Sequence, residues 1–146
     1  MTANLIIRDF QIEDYNKLID LWNAARLGYR AKGRDSRHRM EKQLKQDNTI
    51  FLVAERGGEL VGSVIGTHDG RKGWINRLAV HPSYRHRGLA KKLVAETEKR
   101  LSEVGLEVIA CLILRENTAS LQLFQSLGYE KASDIVYLSK RKSPEA

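Results

Sequence analysis

The sequence predicts an α/β (α+β) fold: a mixed, mostly antiparallel central sheet with helices on both faces, in the order β-α-α-β-β-β-α-β-α-β. Two observations carry this. Three apolar runs, 50–54, 60–65 and 74–80, are joined only by the turn signals Gly57-Gly58 and Asp69-Gly70, which makes them antiparallel neighbours. A helical pattern then separates the strand ending at Val80 from the one starting at Val108. A strand–helix–strand crossing of that length joins parallel strands.

Each element has its own signal. Leu5-Ile6-Ile7-Arg8 reads as a short strand. Ile12, Tyr15, Leu18, Ile19 and Trp22 recur at helical spacing, with Glu13 and Asp14 placed where a helix N-terminus favours negative charge. Gly28 to Gly33 breaks that pattern, and Ser36 is suited to cap a second, basic helix containing Met40 and Leu44. After the three strands, Leu89, Ala90, Leu93, Val94, Thr97, Leu101 and Val104 mark one face of a long helix stopped by Gly105. Val108 to Leu114 is apolar and rich in branched residues, as a buried strand is. Asn117 opens a last helix bearing Leu123, Phe124 and Leu127 and ended by Gly128. A final strand is expected from about Tyr129 to Leu138, followed by a loose tail, 140–146.

Bulk properties narrow the class. With 146 residues, 42% hydrophobic and 29% charged, the chain suits one ordinary globular domain. No apolar run approaches the roughly 20 residues that span a bilayer, and the first residues lack the pattern of a signal peptide. The lone cysteine, Cys111, fits a reducing cytoplasm. His38, His68, His81 and His86 have no metal-ligand spacing, so no metal is expected. The net charge of +7 is concentrated between Arg26 and Lys45, where eight basic residues face only Asp35 and Glu41. Such a block attracts phosphate, nucleic acid or an acidic acceptor, and it also reads as a solvated helix face.

The segment Leu78-Ala79-Val80-His81-Pro82-Ser83-Tyr84-Arg85-His86-Arg87-Gly88-Leu89-Ala90-Lys91 carries the chemistry. A strand ends, a short loop follows, and a helix starts at Arg85-x-x-Gly88-x-Ala90. Consecutive backbone N–H groups then point outward at a helix N-terminus, where the helix dipole also favours an anion. Gly88 admits a ligand close to the backbone, Ala90 keeps the first turn slim, and Arg85, Arg87, Lys91 and Lys92 add positive charge. A pyrophosphate is the natural ligand. Neither of the commoner phosphate loops, Gly-x-x-x-x-Gly-Lys-Ser/Thr or Gly-x-Gly-x-x-Gly, is present.

Arg85-x-x-Gly88-x-Ala90 resembles the pyrophosphate-binding Gln/Arg-x-x-Gly-x-Gly/Ala of the GNAT acyltransferase superfamily, and in particular its small ribosomal-protein-type N-acetyltransferases. Leu78 to Pro82 looks like the strand whose backbone pairs with pantetheine, and Asn117 through Phe124 to Tyr129 is similar to the family's second cofactor segment. The resemblance implies the acyl-CoA N-acyltransferase fold over residues 1–139. It also implies acetyl-CoA as co-substrate and transfer of its acetyl group to a primary amine of a peptide, protein or small molecule. Leu78, Ala79 and Val80 would hold the pantetheine, His86, Arg87, Gly88, Leu89, Ala90 and Lys91 the pyrophosphate, and Asn117 and Phe124 would complete the cofactor site. The amine would attack directly in a ternary complex. A homodimer is common in this fold.

Several positions depart from the family pattern. Phe124 stands where many members place a tyrosine acid, and Leu112 where ribosomal-protein-type members place a carboxylate base. Tyr129 is the candidate substitute, with Tyr84, His81 and Glu116 nearby; each also has an ordinary packing, loop or helix-start reading. A non-catalytic acyl-CoA-binding module on the same fold is the alternative that these departures support. A nucleic-acid-binding protein is a further alternative, and it leaves 85–90 and 117–129 unexplained. By the resemblance, the basic block lies beside the acceptor groove and suits an acidic or phosphorylated acceptor. The short segment after Tyr129 leaves that groove open.

Overall fold

The computed structural model describes residues 4–146. Its sheet has the order β1-β2-β3-β4-β5: β1 (Ile6–Asp9), β2 (Thr49–Arg56), β3 (Glu59–His68), β4 (Lys72–Val80) and β5 (Val108–Cys111). The first three pairings are antiparallel, and β4–β5 is parallel. The crossover between β4 and β5 is α3 (Leu89–Glu103). The expected mixed sheet and both hairpins are therefore present.

The helices divide the apolar residues between two cores, because successive residues of a strand face opposite sides. On one face, α3 and α4 (Thr118–Ser126) bury Leu89, Leu93, Val94, Leu101 and Phe124 against Leu52, Val64 and Ile75. On the other, α1 (Tyr15–Ala24) and α2 (Arg37–Leu44) bury Leu18, Leu21, Trp22 and Met40 against Phe51, Val53 and Ile65. The caps follow the sequence signals: Ser36 Oγ accepts from Arg39 N at 3.3 Å, and Asn117 Oδ1 accepts from Ser120 N at 3.1 Å. The acidic start of the first helix is a 3-10 turn at Ile12–Asp14, tied to β1 by Arg8, which reaches Asp14 at 2.8 and 2.9 Å.

Two expectations are corrected. Residues 129–146 form no strand, and Ile135, Val136, Tyr137 and Leu138 are exposed at 64–86%. A branched, apolar run becomes a strand only where a neighbour supplies hydrogen bonds and a packing surface, and here none does. The run 108–114 is likewise not a buried strand: β5 stops at Cys111, lies at the sheet edge, and leaves Val108, Leu112 and Leu114 exposed. The tail does not simply trail away. It returns to the α1–α2 loop, where a Cβ at Gly33 would collide with the carbonyl of Glu145.

Candidate active site

The site is built around an irregularity in β4. Ser63 pairs with Ala79 and Ile65 with Asn76, so two steps along β3 match three along β4. The extra residue forms a bulge at Arg77, whose φ of 55° lies in the left-handed region. A non-glycine residue holds that conformation only where its surroundings enforce it. They do: Trp22 Nε1 donates to Ser63 Oγ at 2.9 Å, and Ser63 Oγ donates to the Arg77 carbonyl at 3.1 Å. The Arg77 side chain donates to the Gly28 carbonyl at 2.6 Å and to Asp35 Oδ2 at 2.7 Å, with its guanidinium over the Trp22 ring. Burial pulls the Arg77 pKa down, and Asp35 works against that.

Beyond the bulge the sheet opens. The parallel β4–β5 ladder runs only from Lys72↔Val108 to Ile75↔Cys111. From Asn76 to Val80, β4 still pairs with β3 on one side, while β5 has ended on the other. The backbone of Leu78, Ala79 and Val80 therefore borders an unpaired strand edge, which matches an extended, amide-bearing ligand.

The same strand feeds the anion bed. His81 Nδ1 accepts from Ser83 N at 3.1 Å and caps a short 3-10 turn at Pro82–Tyr84. His86 (φ 63°) and Gly88 (φ 78°) then both adopt left-handed backbone before α3 begins. Alternating backbone of this kind, followed by a helix start, turns successive N–H groups toward one point. Among the described residues, the amides of His86, Arg87, Gly88, Leu89, Ala90 and Lys91 donate to no backbone carbonyl outside the regular elements, whereas Lys92 N begins the helical ladder on Gly88 O. Arg85 to Gly88 are exposed, and the Arg87 guanidinium stacks 5.3 Å from the Tyr84 ring centroid. The residues present thus fit a pyrophosphate followed by a pantetheine chain.

The remaining candidates are placed as follows. Asn117 caps α4 with its side-chain oxygen and is exposed. Phe124 is buried in the α3–α4 core with its ring edge-on to Tyr129. The Tyr129 hydroxyl donates to Glu98 Oε2 on α3 at 2.8 Å, and burial, then that hydrogen bond, raises its pKa. Cys111 is half-buried, and burial likewise pushes its thiol pKa up. Glu116 and Leu112 are exposed. No group of three or more potential metal ligands occurs among the described residues.

Sequence reasoning missed the network of Tyr15, Trp22, Asp35, Ser63 and Arg77. Two signals pointed to it: an arginine in the interior of β4, and one of the two acids within a basic block. Asp35 is only 5% exposed and also accepts from Arg30 N at 2.7 Å, while its carbonyl accepts from Tyr15 Oη at 2.8 Å.

Comparison with known proteins identifies the family and the fold. The model of the acetyltransferase (GNAT) family matches residues 15–129. An acetyltransferase of Sodalis glossinidius is 36% identical over 92% of this chain and 94% of its own length. One from Pectobacterium atrosepticum is 37% identical over the same shares. Among solved structures, the aminoglycoside acetyltransferase AAC(6')-Iy with a CoA-linked bisubstrate analogue superposes with a TM-score of 0.77 at 22% identity, covering 95% of this chain and 99% of that one. The PaiA N-acetyltransferase of Thermoplasma acidophilum with coenzyme A also gives 0.77, at 20% identity over 87% and 90%. The family match and the curated relatives together show that this chain belongs to the GNAT acetyltransferase family.

Proposed function

We propose that the protein transfers the acetyl group of acetyl-CoA to a primary amine. The observation that carries this reading is one continuous run of backbone, from the open edge of β4 at 76–80 to the left-handed loop at 86–88. Its first part suits the pantetheine arm and its second the pyrophosphate. Arg85, Arg87 and Lys91 add charge to the loop, and Asn117 and Phe124 stand at the start and in the body of α4.

The chemistry is a direct displacement. The neutral amine attacks the thioester carbonyl, the C–N bond forms, the C–S bond breaks, and the thiolate leaves. Backbone N–H groups beside the bulge stabilise the oxyanion that develops on the carbonyl. The amine loses a proton to solvent or to the departing thiolate. Coenzyme A thiolate is a fairly good leaving group, so the reaction proceeds without a dedicated acid. Tyr129, already bonded to Glu98, is not assigned that role.

Calorimetric titration of acetyl-CoA into the wild type and into Gly88→Glu, followed by thiol release with peptide and small amines, tests the proposal. Micromolar binding abolished by the substitution, with turnover on an amine, is the expected result. No binding to the wild type overturns the cofactor site. Binding without turnover of any amine leaves an acyl-CoA-binding module.

A further inference from the structure

A surface cavity of about 360 Å³ lies on the α1/α2 side of the sheet, away from the anion bed of the β4–α3 loop. Arg34, Arg39 and Lys42 contribute three cations to its lining, and no carboxylate lines it. Gln43 and Gln46 add amides, and Thr49 and Thr67 add hydroxyls. Among the described residues, none of the three cations takes part in an ion pair. Asp35, next to Arg34 in sequence, is turned inward and held by Arg77, while Glu41 and Asp47 are exposed and contribute nothing to the lining. Three clustered cations without an ion-pair partner repel one another, and a bound anion relieves that repulsion. Arginine forks beside a lysine suit a carboxylate or a phosphate.

The cavity has a defined relation to the bulge. Ser63 pairs with Ala79 at the bulge, and Thr67, four residues along β3, pairs with Trp74. At about 3.3 Å per residue that is about 13 Å. Between them, Asn76 pairs with Ile65, a member of the α1/α2 core, and so shares that face of the sheet. A strip of the paired β3 and β4 strands therefore leads from the open strand edge to Thr67 at the cationic recess. Its length matches four residues of extended peptide.

We infer that the acceptor is an extended peptide amino terminus carrying an acidic or phosphorylated side chain about three to five residues from the reacting amine, with that side chain seated between Arg34, Arg39 and Lys42. This rests on the acetyl-transfer reading above and adds the class of acceptor. It also separates this protein from its aminoglycoside-modifying structural neighbours, since a polycationic amine is repelled by the recess.

The test uses amino-terminal peptides with Asp, phosphoserine, Ala or Lys at positions three to five, with the wild type and Arg39→Glu/Lys42→Glu. Both substituted residues are exposed on α2, so the variant is expected to fold, and circular dichroism checks this. Two readouts are taken: anisotropy of labelled peptide on the acetyl-CoA-loaded protein, and thiol release. Acidic peptides should bind and react with KM at least tenfold below that of the Ala peptide. The double variant should remove that preference while acetyl-CoA affinity is unchanged. Equal handling of Asp, Ala and Lys peptides, preference for an aminoglycoside, or binding of a single-stranded oligonucleotide in place of peptide overturns the inference. Peptide binding with no thiol release leaves the recess intact and defeats the acetyl-transfer reading alone.

Discussion

Arg77 Nη2 stands 2.7 Å from Asp35 Oδ2, and this pair fastens the loop between α1 and α2 to the bulge of β4. The side chains are 18% and 8% exposed, so neither charge is well solvated without the other. Asp35 also accepts from Arg30 N, and Arg77 also donates to Gly28 O, which makes the pair the meeting point of both ends of the loop. Through Ser63 and Trp22 the bulge carbonyl is held from below.

Removing one partner of a buried pair leaves an uncompensated charge and costs about 3–5 kcal/mol; the partial exposure here argues for about 3. Asp35→Ala should therefore lower Tm by about 6–12 °C, taking roughly 2–4 °C per kcal/mol for a chain of this size. Arg77→Ala should be milder, because Asp35 keeps its bond from Arg30 N. Both should reduce kcat and weaken acetyl-CoA binding, since the loosened bulge lies within the 76–80 edge that suits the pantetheine arm. Differential scanning calorimetry with initial-rate kinetics checks this, and a drop in Tm with kcat intact would separate the pair from the bulge.

Gly88 occupies left-handed backbone at φ 78°, and a Cβ there meets nothing within 4 Å. The penalty for Gly88→Ala is thus conformational, about 1–2 kcal/mol for an L-residue in this region. The loop should relax away from that geometry and disperse the amides of 86–91. We expect a several-fold weaker acetyl-CoA affinity by calorimetry with a small drop in Tm. A bulky anionic residue, as in Gly88→Glu, should abolish binding outright.

Acid stability should depend on Asp14. The Arg8 guanidinium outweighs the opposing effect of burial and, with a lesser contribution from the Gln11 amide, holds this carboxyl below its ordinary 3.8. A carboxyl whose folded pKa is lowered contributes stability above its unfolded pKa and loses it as pH falls through the folded value. The loss therefore begins near pH 4 and grows below it. Asp14→Asn should flatten the urea midpoint between pH 4 and pH 2 relative to wild type, leaving the two proteins closest at the acid end.

Much of this was legible in the sequence, for physical reasons that also explain the failures. Leu89, Leu93, Val94 and Leu101 announce α3 because helix burial repeats within the element itself. Gly57-Gly58 and Ser36 likewise act on neighbours a few residues away. The loss of the expected strand at Ile135–Leu138 is different in kind, since a strand exists only through a partner, and the local pattern does not name one. The Arg77–Asp35 pair joins positions 42 residues apart, and the bulge that needs it is visible only once β3 and β4 are in register.

Tyr129 separates two accounts of proton transfer. Its hydroxyl donates to Glu98 at 2.8 Å, and its ring meets Phe124 edge-on at a centroid distance of 4.9 Å. Tyr129→Phe keeps the ring contact and removes the hydrogen bond, which to a charged acceptor is worth about 1.5–3 kcal/mol. If the phenol delivered a proton to the leaving thiolate, kcat would fall by about 10²–10⁴. With the hydroxyl instead anchoring α4 to α3, Tm should fall by several degrees and kcat should stay within about threefold. The pH dependence sharpens the distinction. Burial and Glu98 raise the phenol's folded pKa above its ordinary 10, so its stabilising effect is complete below pH 10 and is lost as pH rises through the folded value. The stability difference between wild type and Tyr129→Phe should therefore be constant from pH 7 to pH 10. A kcat loss of a hundredfold in the variant, with Tm unchanged, would instead return Tyr129 to the chemistry.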